Sequence, residues 1–334
     1  MAQIGLYLDC EEHGPKDLVK MASQAEDAGF PFLMISDHYH PWISRQGESP
    51  FTWSVLGGIA RATERIEVTT GVTCPTFRYH PAIIAQAAAT IGTMMPGRFK
   101  LGLGSGENLN EHIYGDRWPP APVRIEMLAE AVDIIRTLWQ GGMQDYYGAY
   151  FLVENAQIFT LPDELPPILL ASEGQLSAEL AGRIGDGLIN AGTKSETVER
   201  TFREAGGRGK TAYILFHVYY SEDEKAARRA AYEEWPIAAN KGNLNRVLPT
   251  PTHFEQLATM VTEEDVAKHV VIGPDPSKYV EKIQSGIDKG YDHICIHQIG
   301  KEQEGFIEFA QEQILPEFQK ASSVSATQAE ARTL

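Results

Sequence analysis

Phe32-Leu33-Met34-Ile35-Ser36-Asp37-His38-Tyr39-His40-Pro41-Trp42 is the stretch on which the reading of this chain turns. Four apolar residues that break at once into Asp, His and Trp have the form of a buried parallel strand delivering polar groups from its carboxyl end. In (β/α)8 barrels that end of the sheet carries the chemistry. Pro41 lacks a backbone donor and blocks a helix directly after the histidines, which predicts a fixed loop holding Asp37, His38 and Trp42. The plainer alternative is a strand end whose histidines only satisfy local hydrogen bonds. Three chemically capable side chains at one strand exit weigh against it.

Outward from this stretch, short apolar runs alternate with amphipathic segments of helix length, the pattern of repeated βα units around a parallel sheet. Strands are expected at 4–8, 32–35, 66–70, 99–104, 168–171, 187–190, 212–219 and 293–297. Helices are expected at 15–28, 81–95, 123–140, 177–184, 196–205, 222–239, 276–289 and 302–320. Eight strands predict a (β/α)8 TIM barrel as one domain over residues 1–320. Two stretches depart from the alternation and are expected near the carboxyl-end mouth: a hairpin at 145–159, and a polar excursion at 241–264 long enough to be a lid or substrate loop. Residues 321–334 are Ser, Ala, Thr and Gln without apolar period and read as a disordered tail.

Of 334 residues, 43% are hydrophobic and 22% charged, enough for a substantial core. The formal charge of −16 repels nucleic acid and anionic membrane, and no local basic patch offsets it. No apolar run approaches membrane length, and no leader-like segment precedes the first strand, so a cytoplasmic enzyme acting on a small molecule is expected. Cys10, Cys74 and Cys295 are too scattered for a disulfide framework or a cysteine metal site.

After the third strand, Gly71-Val72-Thr73-Cys74-Pro75 opens a loop whose prolines restrict its path, suited to a rigid wall for a planar ligand. After the fourth comes Gly104-Ser105-Gly106-Glu107-Asn108-Leu109-Asn110. It is not a dinucleotide fingerprint, because Glu107 takes the third glycine position and the loop belongs to the fourth unit. Small residues there allow close approach of a ligand, and Glu107 becomes a carboxylate facing the same mouth as His38. An acid, a base and Trp42 against a flat ring or developing cation are the parts of proton transfer coupled to a cofactor reaction. His38-Tyr39-His40 also has the H-x-H form of barrel metallohydrolases, but the fifth and sixth strands end without histidine and His297 stands alone, so no metal is expected.

Four segments together carry a family resemblance: Ser-Asp-His-x-x-Pro-Trp at 36–42, Pro-Thr-Phe-Arg-Tyr-x-Pro-Ala-x-Ile-Ala-Gln at 75–86, Gly-Ser-Gly-Glu-x-Leu-Asn-Glu at 104–111 and Ala-Gly-Arg-x-Gly-Asp-Gly at 181–187. The chain resembles the luciferase-like barrel superfamily, specifically coenzyme F420-dependent glucose-6-phosphate dehydrogenases and F420-dependent alcohol dehydrogenases. The resemblance implies hydride transfer from a carbinol carbon to the deazaflavin C5. His38 would be the base, Trp42 the stabiliser of developing charge and Glu107 the partner that completes deazaflavin protonation. It also implies a non-proline cis bond between Gly71 and Val72, cofactor contacts at Asp37, Cys74, Ser105, Gly106, Asn110, Glu173, Gly174, Leu176 and Ser177, and a homodimer. Cys74 and Glu173 stand where the family usually has Thr and Gly. Of four phosphate anchors, Lys194 matches one and Lys241 aligns with a second, whereas Ala191 and His269 replace a Thr and an Arg. Glucose 6-phosphate is thereby weakened, and another sugar phosphate, a neutral sugar or an alcohol stays open. A base must be neutral, so activity is expected to fall as pH drops through the ordinary histidine range. The alternatives are a flavin mononucleotide-dependent monooxygenase of the same superfamily and a metal-dependent barrel hydrolase.

Overall fold

The computed structural model describes residues 2–192 and 194–318. Its strands are β1 (Gln3–Leu8), β2 (Phe32–Ile35), β3 (Glu67–Thr70), β4 (Phe99–Leu103), β5 (Gln144–Tyr147), β6 (Leu152–Ala156), β7 (Ile168–Ala171), β8 (Gly187–Asn190), β9 (Thr211–Tyr219), β10 (Val270–Ile272) and β11 (His293–Gln298). Eight of them, in the order β11-β1-β2-β3-β4-β7-β8-β9, form a parallel sheet that closes through the β9 to β11 pairing, with helices between. The expected barrel is the observed one, and its strand bounds agree with the sequence reading to within about one residue. The expected tail at 321–334 lies outside the described residues.

Strand β2 shows why these runs are apolar throughout. Phe32 and Met34 point into the barrel with Tyr7, Leu169, Ile189, Tyr213, Leu215 and Cys295. Leu33 and Ile35 point outward into the larger core shared with the helices. Because both faces are buried, strict alternation of polar and apolar residues is absent.

Among the elements not foreseen are a helix and a short strand. The helix Thr52–Ala62 contains Gly57 and Gly58, weak helix formers, and is stabilised by packing. A Cβ on Gly58 would lie 2.7 Å from Val19 Cγ2, so the glycine sets the close approach to helix Pro15–Asp27. The three-residue β10 pairs in parallel with the last residues of β9, too short a run to show any period.

The expected hairpin is β5–β6, antiparallel, running along helix Ala121–Leu138. The backbone N–H groups of Ala149, Tyr150 and Phe151 donate to Glu130, and Phe151 reaches the ring of His80, which caps helix Pro81–Met94 at the mouth end. The excursion folds as two short helices, Leu244–Val247 and Pro251–Ala258, with the first against the loop that follows β4.

Two glycine substitutions separate close packing from chain entropy. At Gly102 in β4 a Cβ would fall 1.9 Å from the Thr70 carbonyl oxygen, whereas at Gly57 nothing lies within 4 Å. Gly102→Ala is expected to destabilise the barrel by about 3 kcal/mol, the upper range of overpacking. Gly57→Ala is expected to stabilise it by roughly 0.5–1 kcal/mol, because alanine loses less backbone entropy in a helix. Urea midpoints at equal slope measure both, and a Gly102→Ala midpoint at or above the wild-type value would refute the packing argument.

Candidate active site

The carboxyl ends of β1, β2, β4 and β7 converge on one charged row. His38, directly after β2, has Nδ1 2.9 Å from Glu11 Oε1 and Nε2 3.3 Å from Glu107 Oε2. The other oxygen of Glu107 meets Arg246 Nη1 at 2.5 Å, and Arg246 Nη2 meets Glu173 Oε1 at 2.6 Å. The row therefore reads Glu11, His38, Glu107, Arg246, Glu173, alternating in sign from end to end. Glu11 is itself fixed by the Ser36 hydroxyl, which donates to it at 2.6 Å.

Burial opposes a charge on His38, but the carboxylates of Glu11 and Glu107 outweigh it and push its pKa up to about 10. Burial likewise acts to raise Glu11, yet contact with His38 and hydrogen bonds from its neighbours hold it well below the carboxylate range. Glu107 is also lowered: burial is overcome by Arg246 and His38. His38 is thus an imidazolium near neutral pH, and the ordinary histidine range expected for its titration is displaced upward.

Trp42 is buried, its ring 5.0 Å from His38 on one side and 5.2 Å from Phe254 of the excursion on the other. The indole gives the imidazolium an aromatic wall.

Beneath this row a second buried ion pair braces the loops. Asp37 accepts from Thr73 Oγ1 at 2.6 Å, Arg78 Nη2 at 2.9 Å and Tyr79 OH at 3.0 Å, so both of its oxygens are engaged within the loops. Glu111 accepts from the Arg78 backbone N–H, and burial raises its pKa to about 7. Asn110 accepts from the N–H groups of Tyr39 and His40 and thereby fixes the residues beside His38.

The Gly71–Val72 bond is cis, as the resemblance implied. Val72 packs on the inner core, and Cys74 is buried with its thiol raised by desolvation. Gly106 has φ +78°, and a Cβ there would lie 2.5 Å from Cys74 Sγ, so only glycine lets the loop after β4 lie flat on the loop after β3. On the far side Ser172 and Ser177 hydroxyls lie 2.9 Å apart and both donate to the Gly174 carbonyl. A Cβ on Gly174 would meet nothing within 4 Å, and Leu176 is exposed. Small residues, a thiol and rigid loops beside half-buried Ser105 and Val72 fit a flat ring system.

The expected phosphate anchors are less organised. Lys194, Lys241 and His269 are all exposed, and neither lysine forms an ion pair with another described residue. The two histidines of His38-Tyr39-His40 serve different neighbours: His40 meets the Leu109 carbonyl at 2.9 Å and stacks on His112. Deeper in the barrel, Asp9, Glu12 and His297 each bring one potential ligand atom within 4.8 Å of the others. Burial raises both acids, Glu12 to about 8, and drives His297 down.

The sequence reading missed Glu11 and Arg246. The first carried the same signal as His38, since Asp9-Cys10-Glu11-Glu12-His13 is also a polar burst at a strand exit. The second lies in a segment without periodicity and meets Glu107 across 139 residues of chain.

Comparison with known proteins agrees with this geometry. Residues 2–293 match the family described as luciferase-like monooxygenase. The chain is 34% identical over 330 residues to an F420-dependent glucose-6-phosphate dehydrogenase of Microbacterium testaceum, covering 95% of this chain and 98% of the relative. It is 35% identical to the enzyme of that name from Nakamurella multipartita, covering 94% and 96%. Among solved structures, an F420-dependent secondary alcohol dehydrogenase in complex with an F420-acetone adduct superposes with a TM-score of 0.86 at 29% identity, over 94% of this chain and 98% of the other. With this match over most of its length and relatives at 34–35% identity, the chain belongs to the luciferase-like monooxygenase family.

Proposed function

We propose that this protein is a coenzyme F420-dependent oxidoreductase acting on CH–OH groups, in which His38 exchanges the proton of the substrate hydroxyl. The observation that carries this reading is His38 held between Glu11 and Glu107 at the mouth of a barrel whose relatives are named for F420 chemistry. F420, when bound, would supply the two-electron acceptor, taking hydride at C5 of its deazaflavin. Asp37, through the loop it braces, and Gly71, Val72, Cys74, Ser105, Gly106, Asn110, Glu173, Gly174, Leu176 and Ser177 would form its seat.

Glu11 fixes the Nδ1 side of His38, which leaves Nε2, facing Glu107, as the nitrogen that exchanges a proton. The imidazolium is the form that donates a proton to a carbonyl. Alcohol oxidation draws on the neutral form, which grows as pH rises toward about 10. Trp42 would stabilise charge developing beside the carbinol carbon, and Glu107 would complete deazaflavin protonation.

The charge balance at the mouth supports a neutral substrate. Three carboxylates, Glu11, Glu107 and Glu173, stand against two cations, His38 and Arg246, and both cations are already paired. A phosphate dianion would depend on the exposed Lys194, Lys241 and His269 alone. A neutral alcohol or sugar is the better match than glucose 6-phosphate. The resemblance further supports a homodimer; among the described residues no helix is long and apolar enough to cross a membrane.

Mixing the protein with oxidised F420 and a panel of alcohols, sugars and sugar phosphates tests the reading. Bleaching of the visible band with a neutral alcohol or sugar, faster than with glucose 6-phosphate, is the expected result. Tight binding of flavin mononucleotide with no F420 reduction would overturn it. His38→Ala is expected to bind F420 normally and to lose about 10²–10⁴-fold in turnover, the usual contribution of a positioned proton-transfer group. A loss within about threefold would remove His38 from the mechanism.

The pH profile has a stated sign. His38 is raised, so alcohol oxidation should climb with pH until the histidine is neutral, well above its ordinary range. Glu11→Gln removes the carboxylate that most favours the imidazolium, so this rise should move to lower pH. An unchanged or upward-moving limb would contradict the assigned pairing.

A further inference from the structure

The segment that carries Arg246 has little else to hold it. Helix Leu244–Val247 contains no buried residue, and Lys241, Gly242 and Asn243 before it are exposed. It meets the barrel through Asn108 Nδ2, which donates to the Val247 carbonyl at 2.9 Å, and through the two ion pairs of Arg246. Beyond it, helix Pro251–Ala258 is anchored by the fully buried Phe254 against Trp42. One end of the excursion is therefore fixed by apolar packing, while the part over the mouth is fixed by polar contacts. Local opening is cheapest where buried apolar contact is scarce.

The shape of the guanidinium explains how a single residue can serve two loops. Its planar fork presents separate N–H groups to Glu107 after β4 and Glu173 after β7, which a lysine ammonium cannot match with the same geometry. The Glu107 oxygen left over faces His38. Glu173 occupies a position described above as usually glycine in the resembled family, so the outer carboxylate of the latch is a feature of this chain.

We propose that Arg246 is a positioning residue that latches the 241–247 segment across the mouth and, by gripping one oxygen of Glu107, aims the other at His38. Its contact with the reaction is indirect, through Glu107, and this assignment rests on the dehydrogenase reading given above. Closure of the segment and assembly of the proton-transfer pair are then a single event: with the latch open, Glu107 keeps its backbone position but loses its orienting partner. Burial works against a charge on Arg246, and Glu173 and Glu107 more than restore it, so the latch is an ion-paired one in the closed state.

The test has one readout that needs no turnover. In the cofactor-free protein, hydrogen exchange of backbone amides in 241–250 should accelerate at least about tenfold in Arg246→Gln, with the amides of 251–258 little changed. Glu173→Gln should accelerate the same amides to a smaller degree, and Arg246→Lys should restore part of the protection. In turnover with F420, Arg246→Gln should lower kcat by about tenfold or more while the Kd for F420 stays within about threefold, and Arg246→Lys should recover part of the loss.

Exchange in 241–250 that is unchanged in both Arg246→Gln and Glu173→Gln would overturn the latch. So would acceleration in Arg246→Gln that Lys does not relieve and Glu173→Gln does not share, since that pattern marks a packing role. If wild-type protein reduces no F420 with any alcohol yet the exchange results hold, the latch stands and the dehydrogenase reading falls.

Discussion

A buried charge must have a partner, and at the mouth of this barrel that requirement organises the surrounding loops. His38 is charged because Glu11 and Glu107 flank it, and Glu107 stays ionised at low cost because Arg246 takes its second oxygen. Each member of the row comes from a different connection of the barrel, so the loops after β1, β2, β4 and β7 and the excursion are brought into register by electrostatics. Removing one partner of such a pair is far more damaging than the modest net contribution of an exposed ion pair, because the group left behind stays buried and uncompensated.

Much of this architecture could be read in the chain before folding. Several barrel strands, β2 and β7 above all, are continuous apolar runs with both faces covered, so the run itself is the signal. His38, Trp42 and Glu107 were legible because they follow such runs directly. Glu11 was equally legible in kind, since its polar burst, Asp9 to His13, follows the first strand directly and runs into Gly14-Pro15. Arg246 could not be found that way. Nothing local distinguishes it from any other polar residue in an aperiodic segment, and its partners are fixed by the closure of the barrel. Helix Thr52–Ala62 was hidden by its two glycines, whose low propensity is overridden by tight packing on helix Pro15–Asp27, and β10 by its length of three residues.

The charge arithmetic at the mouth also bears on how far a relative's name can be carried. Sequence identity favours sugar-phosphate dehydrogenases, while the solved structure reported above carries an acetone adduct. Identity averaged over a barrel reports mostly on strands and helices that bury the same surfaces. Substrate charge is decided by a handful of positions, and the resemblance sets Ala191, His269 and Glu173 where the family would have Thr, Arg and Gly.

The pair of Asp37 and Arg78 joins three of the connecting loops into one piece. Asp37 lies after β2, Thr73, Arg78 and Tyr79 after β3, and Glu111 after β4, and their mutual hydrogen bonds leave none of these loops able to shift alone. The mouth ends of these three connections form for that reason a single stiff plate. With the cofactor seated on that plate as proposed, variation in what the enzyme accepts falls to residues outside it, such as the exposed Lys194 after β8 and Lys241. A barrel divided in this way can exchange one substrate for another over evolutionary time while holding one cofactor in one pose.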